Sequence, residues 1–440
     1  MKNISEKKIL DFLILSTIIV FYFKIFYFYD HYPLLDEVIV LDRYLEWKNF
    51  LRKDHIGNHT INSFIGVILK SIFGYNFELL RFISFFCFIL ILLFFRLMFK
   101  KLYLYIIFIS LIVLSNALFN YMYIFRGYYV HAFLCVASFY FLKKYFVHGR
   151  NQVNLNIILF LIFVQLAHSL LTIYIAVPIF ILILIDNYKN NQIKKNILNY
   201  FFYLILPVFF SFLLYSFLEG FVVLHYDNLN FNFLFKNFFL IFLECVKKGF
   251  GMIFFSAYTT TDFSSLFNTI TMLYHGYDDI LISEPIILLI YFLSISFALF
   301  NCLRLKTFSY LDYLIVIIFV FFILLFKSPT LRVHIGISIF CLLYIIYCLE
   351  LHLSKINVSD IKSYYITSVI ICFFVIFSAS PNKDFQQLKK HIIKIDQYKH
   401  DCKIANTELN SSEKWVLINF YPDACKHRYD GKIQDNFLYD

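Results

Sequence analysis

Long apolar segments recur along the whole chain, and they constrain its fold more than any other feature. A helix needs about 17 to 25 mostly apolar residues to cross the hydrocarbon core of a bilayer. Eleven segments of this 440-residue chain approach or meet that length. They lie near 9–28, 80–98, 102–120, 127–142, 153–169, 170–185, 199–218, 285–303, 311–326, 333–351 and 363–379. We therefore predict an all-α polytopic membrane protein with about eleven transmembrane helices.

The composition agrees with this fold class. Hydrophobic residues make up 61% of the chain and charged residues only 15%, against roughly a quarter charged in a soluble domain. The 39 Lys and Arg residues fall in small clusters between the apolar segments and form no continuous basic face, so nucleic acid is not an expected partner. Their distribution indicates topology instead, because cytoplasmic loops collect positive charge.

A cytoplasmic N-terminus puts most of these clusters inside, and leaves only Arg126, Lys327 and Arg332 in the short outside loops. This predicts a bacterial inner-membrane protein with eleven spans and a periplasmic C-terminus. The weakest part of the count is 153–185, because about 33 residues must make two short helices that turn near His168. A single tilted helix there would reverse every later loop.

Two domains are predicted, a transmembrane domain over 1–379 and a polar periplasmic tail over 380–440. The transmembrane domain has two long periplasmic loops, at about 29–79 and 219–284, with apolar residues at helical spacing that is typical of amphipathic helices at the membrane interface. The tail contains one strand-like stretch, Trp415–Tyr421. Its cysteines, Cys402 and Cys425, would face the oxidising periplasm and are predicted to form a structural disulfide.

No nucleotide-binding, dinucleotide-binding, zinc-protease or hydrolase-elbow motif occurs in the sequence. The most informative stretch is the first outside loop. A carboxylate pair, Asp36–Glu37, follows the first apolar segment closely and would lie at the membrane surface, near the headgroup of a lipid-linked substrate.

Several features of the first 185 residues occur in an order and spacing that can be compared with known families. After Asp36–Glu37 come a segment with His59, an entry into the second helix with Phe73, Gly74, Leu80 and Arg81, the stretch YIFRGYYVHAFLCVASFYFLKKY, and LAHSLLTIYIAVP. In this order and spacing the chain resembles the C-type glycosyltransferase (GT-C) superfamily. It is similar in particular to the bacterial lipid-A aminoarabinose transferases and the protein O-mannosyltransferases.

The resemblance implies an inverting transfer of a sugar from a polyprenyl phosphate to a hydroxyl of a lipid, glycan or protein acceptor, such as lipid A of the lipopolysaccharide. Asp36 matches the family's catalytic carboxylate and is expected to be the general base. Glu37 matches its partner, which would orient the acceptor or bind a divalent metal such as Mg²⁺ or Mn²⁺. The competing interpretation is an interfacial charge pair that ends a helix.

The departing phosphate needs a cation, and amphipathic elements must hold the prenyl chain among the membrane lipids. The predicted substrate-binding residues are His59, Arg126, His168, Arg332 and His334. Each also has a structural interpretation. The arginines would then anchor to lipid headgroups, and the histidines would be surface or helix-turn residues.

Two other functions are compatible with the sequence. An O-antigen-type polymerase or ligase also has many helices, large outer loops and lipid-linked sugar substrates, and would depend on outer-loop arginines more than on Asp36. A transporter or lipid flippase is the non-enzymatic alternative. It is less favoured, because the central parts of the apolar segments lack the ionisable residues and the glycines that transporters commonly use.

Overall fold

The computed structural model is a bundle of packed helices. It describes residues 6–27, 37, 40, 45, 47, 59–74, 76–147, 149–169, 172–207, 284–305, 309–325, 334–353 and 362–379. Within these ranges there is no β-strand. The chain is therefore all-α wherever it is described, as the apolar segments predict.

The helices are numbered here in chain order. They are α1 (Glu6–Tyr27), α2 (Thr60–Phe73), α3 (Phe77–Met98), α4 (Leu102–Leu114), α5 (Asn116–Asn120), α6 (Tyr128–Val147), α7 (Gln152–His168), α8 (Ile173–Lys189), α9 (Ile193–Tyr200), α10 (Pro285–Leu305), α11 (Tyr310–Leu325), α12 (His334–Leu353) and α13 (Lys362–Ser378). A 3₁₀ turn, Tyr121–Tyr123, follows α5, and a π-helical turn, Phe201–Ile205, follows α9.

Five of the described helices, α1, α3, α6, α10 and α12, are long and apolar enough to cross a membrane. A sixth span is possible by the same measure if α4 and the α5 segment, which meet at an angle of 91°, count as one. Helices α2 and α7 and parts of α11 and α13 are apolar but shorter. These lengths are consistent with a multi-pass membrane protein, and the count of eleven spans stays a prediction.

Each of the eleven predicted segments overlaps one of these helices. The segment pair over 153–185 forms two helices, α7 and α8, so a single tilted helix is excluded there. The first loop contains the helix α2, as its helical spacing predicts, and the place of this helix at the membrane interface stays a prediction. Outside the described residues lie most of the second loop, the tail from 380 with Trp415–Tyr421, and the predicted disulfide of Cys402 and Cys425.

Several helices begin at a polar residue that caps the free backbone N–H groups of the first turn. The Asn76 side chain accepts the N–H of Leu79 at the start of α3, and Asn151 does the same for Val153 at α7. Ser115 breaks the apolar run between α4 and α5, and its hydroxyl accepts the N–H of Leu118. Such caps fix where a helix starts, which apolar periodicity alone leaves open.

Helices α6 and α12 form the centre of the bundle. Helix α6 packs against α3, α7 and α12, and every residue of α12 from His334 to Cys348 is buried. The outer helices expose large apolar side chains, such as Leu303 of α10 and Phe374 of α13. An exterior of this kind suits contact with lipid and not with water.

Contacts between chain-distant residues define two ends of the bundle. Near the start of α1, Asp11 pairs with Arg96 at the end of α3, at 2.5 Å, and Glu6 accepts the N–H of Leu102 at the start of α4. We call this the opposite end. The other end, where α1 finishes and α2 packs against α3, is called the α2 end.

The last described helix finishes at the α2 end. Lys24, near the end of α1, donates from its Nζ to the carbonyl oxygens of Phe377 and Ala379. These carbonyls belong to the last turn of α13, where backbone acceptors have no partner within the helix. The first and last described helices are thereby joined across 353 positions of sequence.

Candidate functional site

Residues 124–127 connect the 3₁₀ turn to α6 at the α2 end, and we call them the 124–127 segment. All four are buried. Ser84 of α3 donates from its hydroxyl to the carbonyl oxygen of Ile124 at 2.6 Å. Gly127 has a φ of +79°, a conformation that favours glycine. This glycine lets the chain turn into α6 while its backbone stays close to α2.

A buried ion pair holds the first loop to this segment. Arg81 of α3 donates to both carboxylate oxygens of Glu37, at 3.1 Å from Nε and 2.7 Å from Nη2. The backbone N–H of Phe125 donates to Oε1 of Glu37 at 2.6 Å. Glu37 is fully buried and Arg81 is 6% exposed. The carboxylate therefore links the first loop, α3 and the 124–127 segment.

Two predicted histidines meet at Gly127. His59 is the residue before α2, and its ring lies 5.1 Å from the ring of His168 and 4.7 Å from that of Tyr128. Nε2 of His168, at the end of α7, lies 3.0 Å from the carbonyl oxygen of Gly127. A methyl group on Gly127 would come within 2.4 Å of Cβ of His59. The approach of α2 to the segment thus requires a residue without a side chain.

Arg126 lies between Phe125, which contacts Glu37, and Gly127, which contacts both histidines. It is only 5% exposed. The structure thereby brings Glu37, His59, Arg126 and His168 to one short segment, although they are spread over 132 positions of sequence. A guanidinium is suited to binding a phosphate, and imidazoles can donate hydrogen bonds to a polar substrate.

The other predicted site residues are not part of this group. His334 begins α12, and its Nδ1 lies 2.9 Å from the hydroxyl of Tyr291 on α10. Ser338 donates to the same hydroxyl at 3.2 Å. His334 therefore belongs to a contact between α10 and α12. Asp36 and Arg332 lie outside the described residues.

A metal held by Glu37 does not fit this arrangement. Both carboxylate oxygens already accept hydrogen bonds from Arg81, and one also accepts from Phe125. A metal ligand needs an available oxygen and is disfavoured next to a guanidinium. The part of the chain that the structure describes also contains no group of three or more His, Cys, Asp or Glu residues placed to hold a metal ion.

A second buried carboxylate lies at the break between α4 and α5. Glu284, just before α10, accepts a hydrogen bond from the Ser115 hydroxyl at 2.9 Å and one from the N–H of Ala117 at 2.6 Å. Burial raises the pKa of Glu284 to about 7, although both hydrogen bonds act in the other direction. Its charge therefore changes near neutral pH.

Sequence reasoning missed the roles of Arg81, Glu284 and Asn62. Arg81 was noted only as part of the entry into the second helix, and its partner Glu37 is 44 positions away. Asn62 lies three positions after His59, a spacing that puts both on one face of a helix. That spacing was a usable signal for a second polar residue at the site.

No protein-family model, curated protein or solved structure matches this chain.

Proposed function

We propose that the protein is a GT-C-type glycosyltransferase of the bacterial inner membrane. It moves a sugar from a polyprenyl phosphate to a hydroxyl of a lipid, glycan or protein acceptor on the periplasmic face. The proposal combines the sequence resemblance with the arrangement around the 124–127 segment. It takes the α2 end as the periplasmic end, in agreement with the distribution of Lys and Arg.

The reaction needs one base and one cation. The acceptor oxygen attacks the anomeric carbon, the bond from that carbon to the phosphate oxygen breaks, and the polyprenyl phosphate leaves. Asp36 takes the proton of the acceptor hydroxyl. Arg126 binds the phosphate and stabilises its developing charge. Glu37 is a positioning residue, because its carboxylate is bound to Arg81 and to the backbone of Phe125.

The observation that carries the proposal is the approach of His59 and His168 to Gly127, the residue that directly follows Arg126. The sequence resemblance independently implies a substrate-binding role for His59, Arg126 and His168. A set of unrelated interface anchors would have no reason to converge on one buried segment. The attachment of Glu37 to that segment also supports the proposal, because Asp36 precedes Glu37 directly in the sequence.

A transfer assay with reconstituted protein tests this function. The donors are undecaprenyl phosphates that carry mannose, glucose or aminoarabinose, and the acceptor is a membrane extract that contains lipid A, glycans and proteins. Asp36→Asn should lower kcat by about 10²-fold or more. Asp42→Asn, in the same loop, is the matched control and should transfer normally. Equal transfer by both variants would remove Asp36 from the role of base.

A lipid flippase is the second candidate, because one observation favours it. Broken helices are typical of transporters, and α4 and α5 meet at 91°. Transport of a fluorescent polyprenyl phosphate across liposomes, without release of its sugar, would favour this function. After the break, the N–H of Ala117 already donates to Glu284 and that of Leu118 to Ser115. The break therefore offers less to a substrate than an open helix end would.

A further inference from the structure

The first turn of α2 carries polar side chains towards the candidate site. His59 precedes the helix, and Thr60 and Asn62 lie in its first turn. Cβ of Asn62 would lie 3.0 Å from a methyl group on Gly127, beside His59. Asn62 is thus at the same glycine as the two histidines.

Asn62 is fully buried. Neither its Oδ1 nor its Nδ2 has a hydrogen-bond partner among the residues that the structure describes, and the same is true of Oγ1 of Thr60. Buried polar groups in native proteins are nearly always hydrogen-bonded, because a missing partner is costly. Because the amide of Asn62 is buried without partners at a candidate site, we expect a ligand to supply its hydrogen bonds.

The chemistry of these groups indicates which ligand. The amide of Asn62 has two donors and one acceptor, and the hydroxyl of Thr60 can donate and accept. All of them are neutral. Their complement is a neutral group that both donates and accepts at closely spaced positions, which describes the hydroxyl groups of a sugar ring. A phosphate, which only accepts, is better matched by the guanidinium of Arg126, the residue before Gly127.

We propose that Asn62, assisted by Thr60, is the residue that recognises the sugar hydroxyls of the donor. This inference rests on the proposed function, and it assigns the two parts of the donor, phosphate and sugar, to different residues of the site. Arg126 binds the phosphate, and the first turn of α2 binds the sugar. Asn62 then determines which sugars are transferred, while it contributes nothing to the binding of the lipid phosphate.

The chain offers a matched control in Asn187 of α8. This asparagine is also buried, at 1% exposure, but both donors and the acceptor oxygen of its amide have hydrogen-bond partners. Nδ2 donates to the carbonyl oxygen of Ile183 at 3.0 Å and to the hydroxyl of Tyr200 at 2.8 Å. Oδ1 accepts from Asn196 at 2.7 Å. The two asparagines differ in their partners and hardly in their burial.

The first measurement is the thermal unfolding of the full-length protein in detergent, without ligand. Asn62→Leu replaces an unsatisfied amide with an apolar group of similar size, so Tm should be unchanged or higher. Asn187→Leu should lower Tm by about 5 °C, because it leaves three groups without their partner. A fall in Tm for Asn62→Leu as large as for Asn187→Leu would make Asn62 a structural residue and would overturn the inference.

The second measurement is the binding of undecaprenyl phosphate with and without an attached mannose, glucose or aminoarabinose. The wild type and Asn187→Leu should bind one of the sugar-bearing lipids about tenfold more tightly than the sugar-free lipid. Asn62→Leu should bind both about equally. If Asn62→Leu keeps the full preference, the inference fails and the proposed function stands. If the wild type has no preference for any sugar, the proposed function fails and the inference fails with it.

Discussion

Two buried polar side chains, Asp186 at the opposite end of the bundle and Asn62 at the α2 end, differ completely in their hydrogen-bond partners. At the opposite end, Asp186 is fully buried and accepts hydrogen bonds from Arg150, Tyr145 and Asn190. At the α2 end, Asn62 is equally buried without a partner in the described chain. A polar group with a complete set of partners stabilises a fold, whereas one without partners indicates a site where something else binds.

The largest expected effect comes from breaking the ion pair at the α2 end. Arg81→Ala leaves the buried carboxylate of Glu37 without its cation, which should cost about 3–5 kcal/mol in the free energy of unfolding. Arg96→Ala removes the pair with Asp11, whose carboxylate is half exposed, and should cost less than about 1 kcal/mol. Chemical unfolding in detergent measures both, and equal losses would mean that Glu37 is solvated.

The buried carboxylate at the helix break predicts a pH dependence. The pKa of Glu284 is raised to about 7 in the folded protein, so the folded state binds the proton more tightly than the unfolded state. Stability from this group is complete below about pH 4.5 and falls as pH rises to about 7 and above, by on the order of 3 kcal/mol.

Glu284→Gln should remove the loss of folding stability that accompanies the rise in pH. The measurement is Tm between pH 5 and pH 8 for both proteins, and the difference between the two curves isolates Glu284 from the histidines that titrate in the same range. Parallel curves would mean that water reaches the carboxylate.

Two glycines with positive φ sharpen the comparison between the ends. Gly127 at the α2 end and Gly149 at the opposite end have φ of +79° and +97°. An added methyl meets His59 at 2.4 Å in the first case and nothing within 4 Å in the second. Both alanine variants therefore bear the backbone strain, of about 1 kcal/mol or more.

Only Gly127→Ala adds a steric clash, for which we expect about 2 kcal/mol further loss of stability and a loss of sugar transfer. Gly149→Ala should transfer normally per folded molecule. Normal transfer by Gly127→Ala would separate the 124–127 segment from the active site.

The smallest expected effects come from two arginines replaced by lysine. Arg150 makes a bidentate contact with Asp186, so Arg150→Lys should cost about 1 kcal/mol of stability and leave transfer unchanged. Arg126→Lys should instead lower kcat/KM for transfer by about tenfold, because lysine binds phosphate as a point charge. If Arg150→Lys also lowered sugar transfer, this would contradict the placement of the active site at the α2 end.

The helices could be predicted from the sequence because apolar length is a local property. The pair α7 and α8 follows from about 33 residues and a polar turn, and the structure has both. The amphipathic first loop likewise predicts α2. The convergence of His59, Arg126 and His168 could be proposed only because their order resembled that of a known superfamily, since no periodicity tells which helices become neighbours.

Pairings between distant residues could not be predicted. Arg81 and Glu37 are 44 positions apart, and either charge alone is also typical of a membrane interface. The break of 91° at Ser115 has no sequence signature beyond one polar residue in an apolar run. Whether Asn62 has hydrogen-bond partners depends on which polar groups the neighbouring elements place within reach of its amide. A single sequence does not contain that information.

The contact of Lys24 with the end of α13 has a consequence for the biogenesis of the protein. Helix α1 is synthesised before α13, and its lysine can meet the carbonyl oxygens of Phe377 and Ala379 only after the 353 positions that separate Lys24 from Phe377 have been made. Until then the basic side chain must stay hydrated at the membrane surface. The contact between α1 and α13 can thus form only after every described helix between them has been synthesised.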